Sequence, residues 1–166
     1  MLGKISSKLD DLDNLNKLYS WLPNSITIRP CKEVLEKKIH TINMIDDEWN
    51  LFEDYILYKV FNKDYQIIDN KKKVVDKINI EEWIFSESEF RYNLPSYSNH
   101  YVLWNSKNIF DLDIDDNIIN SKIELFIENI IDTKNYSYNY AWYKNPKPTV
   151  NEFYHVQVFW IYNKIH

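Results

Sequence analysis

The sequence predicts an α+β fold: a helical N-terminal half followed by a mainly antiparallel sheet with one long helix packed on it. Three observations carry this expectation. Up to about residue 61, apolar side chains recur at three- and four-residue steps, the spacing of helices with one buried face. From Ser88 onward short extended runs replace them. Between two of those runs Ile119, Ile123, Phe126, Ile127, Ile130 and Ile131 fall on one helical stripe. Helices first, then strand–helix–strand–strand, is the order of a segregated α+β chain and not of alternating βα units. The 166 residues contain no repeat and no low-complexity linker, so a single domain over 1–166 is expected. Its helical part covers about 1–86 and its sheet-plus-helix part about 87–166.

The elements follow in order. Leu9, Leu12, Leu15, Leu18, Tyr19 and Leu22 mark a first amphipathic helix that ends before Pro23. Ser25 to Arg29 reads as a short extended piece. Pro30 suits the start of a second helix, with Val34, Leu35, Ile39 and Ile42 on one side. Asp46 and Asp47 look like the N-cap and first turn of a third, running from about Glu48 to Phe61. Its stripe is Trp49, Phe52, Ile56 and Val60, widened by Tyr55 and Tyr58, so it should pack on more than one side. Lys63 to Lys77 is polar and carries no clear period, and Ile80 to Phe85 reads as a helical turn.

Phe90 to Asn93 is extended and stops at Pro95. His100 to Asn105 is apolar on both faces, as a central strand requires. Asp111 to Asp116 is an acidic lead-in to the long helix, where the dipole favours carboxylates. Tyr138 to Lys144 is a strand, Asn145-Pro146-Lys147-Pro148 a stiff turn, and Phe153 to Tyr162 the last strand.

Composition excludes several functions. Gly3 is the only glycine, so a dinucleotide fingerprint, a phosphate-binding P-loop and a nucleophile elbow are absent. The net charge is −5 and only Arg29 and Arg91 are arginines, which argues against a nucleic-acid-coating role. Cys31 is alone, so no intramolecular disulfide or cysteine zinc cage can form; a buried thiol in a reducing, cytoplasmic compartment is expected. No secretory h-region is seen at the N-terminus, and the longest apolar run, around Val156 to Tyr162, is far short of a membrane span. The wealth of Asn, Ile and Lys follows A/T-rich codons, as in an A/T-rich microbe, protist or large DNA virus.

Four histidines are available: His40, His100, His155 and His166. His100 and His155 each lie in a strand. In the last strand, alternation puts Tyr154, Val156, Val158, Trp160 and Tyr162 on one face and Phe153, His155, Gln157 and Phe159 on the other. The first set is the better core; the second mixes polar and aromatic groups, as a ligand-facing surface does. If the two strands are neighbours, His100 and His155 could meet around one pocket, where a pair of imidazoles could bind a metal or serve acid–base chemistry. Glu152 and His155, three apart on a strand, face opposite ways and make no metal pair. Asp111, Asp113, Asp115 and Asp116 lack the glycine of a calcium loop. No metal site is expected, and no cofactor is indicated.

Phe90-Arg91-Tyr92-Asn93-Leu94, His100-Tyr101-Val102-Leu103-Trp104, Trp142-Tyr143-Lys144-Asn145-Pro146, Thr149-Val150 and His155-Val156-Gln157-Val158, in that order, resemble the N-acetylglucosamine-induced protein family, a domain of unknown function found widely in fungi. The resemblance covers about residues 90–159. Arg91 stands where the family has Pro, and Phe153 where the first histidine of a closing His-x-His is expected. His100, Lys144, Asn145 and His155 match. The resemblance implies a small polar metabolite, such as an amino sugar or nucleotide sugar, as ligand. His100 and His155 would be the catalytic pair, with Tyr92, Lys144, Asn145 and Gln157 as ligand-binding residues.

Two other functions compete. One is a non-enzymatic interaction or structural protein with an aromatic-rich surface, in which a protein partner or a second copy of the chain replaces the small molecule. The other is an aromatic cage for a nucleotide base or cap, prompted by Trp104 and opposed by the scarcity of arginine.

Overall fold

A computed structural model describes residues 4–8 (as backbone), 20–21, 30–76, 78–109, 111–145 and 148–166. The expected first helix, the extended piece at 25–29 and the middle of the turn at 145–148 lie outside the described residues, save Ser20 and Trp21, which are in a turn. The fold is α+β, as expected.

The described chain runs β1 (Lys4–Lys8), α1 (Lys32–Glu48), α2 (Phe52–Lys59), β2 (Tyr65–Ile68), β3 (Lys71–Val74), β4 (Trp83–Glu87), β5 (Asn99–Asn105), α3 (Asp116–Ile130), β6 (Tyr136–Lys144) and β7 (His155–Lys164). Five strands form one sheet in the order β1-β6-β7-β5-β4. All its pairings are antiparallel except β1 with β6. The strands β2 and β3 form a separate hairpin.

The sheet is covered on both faces. Ile119, Ile123 and Ile127 of α3, fully buried, pack on Leu103, Val156, Val158 and Trp160. Burying each such side chain stabilises the fold by about 1.5–3 kcal/mol. Asp115 starts this helix by accepting from the Asn117 backbone N–H at 2.9 Å, the capping role expected of the acidic lead-in. On the other face α1 and α2 bring Ile45, Trp49, Ile56 and Phe61 against Val102, Trp104 and Phe153. A smaller cluster of Trp21, Ala141, Tyr143 and Phe159 continues that face toward β1. β7, shared by both cores, is the middle strand, and β5 lies beside it with neighbours on both sides.

Four expectations are corrected. Asp46 and Asp47 do not start a helix; they lie in the last turn of α1. Carboxylates are unfavourable at a helix C-terminus. The Lys71 ammonium offsets this by donating to the carbonyls of Asp46 and Asp47, both at 2.7 Å. Trp49 consequently sits between helices rather than in one, bridged to Lys72. Second, the buried side of α1 is not Val34-Leu35-Ile39-Ile42. Leu35 and Ile39 are exposed, and Thr41 and Ile45 are buried, because the helix turns that stripe toward the sheet.

Third, Ile80 to Phe85 is not helical. Its second half begins β4, where Trp83 and Phe85 reach the α3 core and Ile84 reaches the α1–α2 core. That two-residue alternation is strand geometry. Fourth, Cys31 is not a buried thiol but a half-buried residue at the N-cap of α1. Within the polar stretch at 63–77 lies the hairpin. Its two-residue turn, Asp69-Asn70, has φ of 50° and 61°, the left-handed pair that matches strand twist. Asp and Asn fill a role that glycine fills elsewhere, since their short side chains tolerate that region.

A cavity between the helix pair and the sheet

β5 and β7 are neighbours, and their register sets the site. His100 pairs with Phe159, Val102 with Gln157 and Trp104 with His155. Cross-strand partners share a face, so both histidines, Gln157 and Trp104 point toward α1 and α2. Tyr143 pairs with Gln157 and joins them on that face. The other alternation, through Val156, Val158 and Trp160, feeds the α3 core.

A cavity of about 250 Å³ lies between this face and the helix pair. Its helical wall is Ile42 and Ile45 of α1 with Phe52, Ile56 and Val60 of α2. Its floor includes Val102, Trp104 and Gln157. Charged groups of both signs line it, the cations being Lys38 and Lys59. Glu87 ends β4 and Glu89 follows it, beside Ser88, whose backbone N–H donates to the carbonyl of His100 at 2.8 Å. Tyr55 donates to Glu89 Oε2 there at 3.2 Å, and burial together with that carboxylate pushes the phenol up to about 12. Toward the Trp104 end lie Lys38, Thr149 and His155, with Lys38 Nζ donating to Thr149 Oγ1 at 3.2 Å. Burial lowers the Lys38 pKa.

The two histidines do not meet. Four residues along β5 separate their register positions, about 13 Å at ~3.3 Å per residue. His100 is 1% exposed and fully engaged. The Tyr92 backbone N–H donates to its Nδ1 at 3.1 Å, and its Nε2 faces Gln157 Oε1 at 2.6 Å. Its ring also packs on those of Tyr92 and Phe159, with centroids 4.5 and 4.9 Å away. Burial drives its pKa down to about 4; the Gln157 hydrogen bond opposes this and the Arg91 charge adds to it. A neutral imidazole with both nitrogens occupied is poorly placed to exchange protons with a ligand.

His155 does line the cavity. Its Nδ1 lies 3.0 Å from the carbonyl oxygen of Phe153, so Nδ1 carries the proton and donates. Its ring lies against Trp104, centroids 4.5 Å apart. Burial lowers its pKa, and the Lys38 ammonium adds to that.

Of the other expected residues, Tyr92, Asn145 and Gln157 line the cavity. Lys144 does not. It follows Tyr143 by one residue on β6 and so faces the α3 side, where its ammonium lies 5.6 Å from the Tyr154 ring centroid. The Tyr92 hydroxyl hydrogen-bonds that of Tyr143, holding the loop after β4 on the sheet. Sequence reasoning missed Lys38, Tyr55 as a polar group, and the Glu87–Glu89 pair. A signal existed for the first: Lys38, Thr41, Ile42 and Ile45 have helical spacing, and a lysine within such a stripe places its charge at a cavity.

Trp104 faces His155, and the aromatic enclosure in the described residues lies elsewhere. Trp49, Tyr58 and Tyr65 meet with centroids 5.2 to 5.3 Å apart. Lys72 occupies it, 5.5 Å from Trp49 and 5.6 Å from Tyr65, and pairs with Glu48. Among the described residues no group of three or more His, Cys, Asp and Glu comes together as a metal ion requires. None of the described helices is long and apolar enough to cross a membrane.

No family model matches the chain, and no curated protein matches it. Among solved structures, a chain described as "Crystal Structure of HTC1" is 13% identical, with a TM-score of 0.45, covering 92% of this chain and 82% of that one.

Proposed function

We propose that this chain is a small-ligand binding domain whose ligand sits between the α1–α2 pair and the β5–β7 face. The observation that carries this reading is the cavity itself: apolar helical walls, an aromatic and amide floor, and a few polar and charged groups on its lining. Pockets that hold small molecules have this composition, mostly apolar with a few placed polar groups. The ligand is a small polar metabolite with an apolar part. The sugar-type ligand implied by the family resemblance fits the Tyr92, Asn145, His155 and Gln157 lining, without Lys144. Binding, not proton transfer between two histidines, is the activity the geometry favours, because His100 is sealed and neutral.

The test is binding with a blocked control. Isotope-labelled protein is titrated with amino sugars, sugar phosphates and nucleotide sugars, and shifts at Asn145, His155 and Gln157 are followed by NMR. A Val60→Phe variant fills the wall from a half-buried position. The expected result is a ligand that shifts the cavity resonances in the parent and loses about tenfold or more in affinity in Val60→Phe, whose melting curve stays cooperative. Ligand affinity unchanged in a folded Val60→Phe protein places binding elsewhere.

A further inference from the structure

Three hydrogen-bonding facts around His100 determine which way the cavity amide points. A backbone N–H can only donate, so the Tyr92 N–H fixes the lone pair of His100 on Nδ1. The ring proton of the neutral imidazole therefore sits on Nε2. That N–H needs an acceptor, so Gln157 presents Oε1 to it. The NH2 of Gln157 is then left to the cavity that Gln157 lines, and among the described residues it has no acceptor.

The relay cannot readily invert. His100 is nine-tenths buried and more, and burial keeps it uncharged well below neutrality. Its ring is clamped between Tyr92 and Phe159. A glutamine on an open surface samples both amide orientations; here the orientation is imposed from behind by a main-chain group. Other donors on the lining include the Lys38 ammonium, partly desolvated on the α1 wall, and Lys59 on α2.

We infer that the cavity selects ligands carrying an oxygen acceptor, a carboxylate or an acyl carbonyl, that receives the Gln157 NH2. Gln157 is the specificity-determining residue, and His100 is the positioning residue that holds it as a donor. This inference rests on the binding site proposed above and names what the ligand must present there. The apolar remainder of the ligand lies against Ile42, Ile45, Phe52, Ile56 and Val60.

The experiment uses matched probes on the full chain: hexanoate, hexylamine and hexanol, titrated by NMR while the Gln157 side-chain NH2 and the cavity methyl resonances are followed. Nitrogen shifts of the His100 ring in the unliganded parent are recorded first, with the Nε2–H tautomer expected. Hexanoate should shift the Gln157 NH2 pair and bind more tightly than hexylamine. Gln157→Glu, near-isosteric at a half-buried position, still accepts from His100 but presents oxygen to the cavity. It should weaken hexanoate about tenfold or more and strengthen hexylamine, since a donor has become a charged acceptor. An Nδ1–H tautomer, or an unchanged probe order in Gln157→Glu, overturns the inference while leaving the cavity a binding site. If none of the three probes, and none of the sugars, moves a cavity resonance, the binding site and the inference fall together.

Discussion

At the residue scale the informative side chain is His100. As a strand histidine in the sequence it looked like half of an acid–base pair; in the fold it is an internal strut between Tyr92 and Gln157. Its removal takes away the groups that the Tyr92 N–H and Gln157 Oε1, both on half-buried residues, bond to, and leaves a cavity in the core. His100→Ala should destabilise the protein by about 2–4 kcal/mol, read as a shift in urea midpoint at pH 7.5. The pH dependence follows from the direction of its shift. His100 titrates near 4 when folded, against 6.5 for an ordinary histidine. The unfolded chain therefore binds the proton first, and the stability contributed by keeping this ring neutral is complete above about pH 6.5. It declines as pH falls toward 4 and is flat below that. His155 is shifted the same way and adds to the effect. Urea midpoints should fall between pH 7 and 4.5 in the parent, and fall less in a folded His100→Gln protein. Equal slopes in both would remove His100 as the cause.

At the element scale, strand alternation was legible and helix boundaries were not. The two faces of β7 were readable because period-two patterning has no competing explanation in a run such as His155-Val156-Gln157-Val158-Phe159-Trp160. The end of α1 was misplaced because Asp46-Asp47 is a strong local N-terminal signal, and the cation that neutralises its cost, Lys71, comes from a hairpin formed later in the chain. Local sequence cannot reveal a cap supplied from 25 residues away. Lys71→Ala should lower stability by about 0.5–1 kcal/mol. The loss should shrink in high salt, which screens an exposed charge. The hairpin was missed for a related reason: in a chain with one glycine, its turn is written Asp-Asn. Asn70→Gly, placing glycine at φ 61°, should stabilise the protein by about 0.5 kcal/mol, seen as a higher melting temperature. A lower melting temperature would mean that the Asn70 side chain contributes more than its backbone costs.

At the scale of the whole molecule, the fold class was legible because the helical run of α1 and α2 and the later strand runs differ in period, although β1 precedes the helices and α3 lies among the strands. The site was legible only in part. Tyr92, Asn145, His155 and Gln157 share one cavity because β-register and the loops around it converge there. Lys144 was assigned to the same cleft from its place in a motif, but one residue of strand separates it from that face. β7 ties the two cores together, since Val156 and Val158 serve one and Phe159 borders the other. Ile123→Ala, which hollows the α3 core, should cost about 2–5 kcal/mol. Tryptophan fluorescence and far-ultraviolet circular dichroism should still unfold together. Separate transitions would mean that the helix pair and the α3 side are independent units.

The cavity also fixes an order of events in the cell. Lys38 and its partner Thr149 are 111 residues apart, and β7, which completes the floor with Gln157, follows Thr149. At ~5–20 residues per second, the helix pair leaves the ribosome roughly 5–20 s before that floor is complete. Until β5 and then Phe153 have been made, Ile45, Trp49, Ile56 and Phe61 lack the side chains that cover them. The nascent chain thus carries exposed apolar helix faces, and the cavity is complete only after β7 has docked.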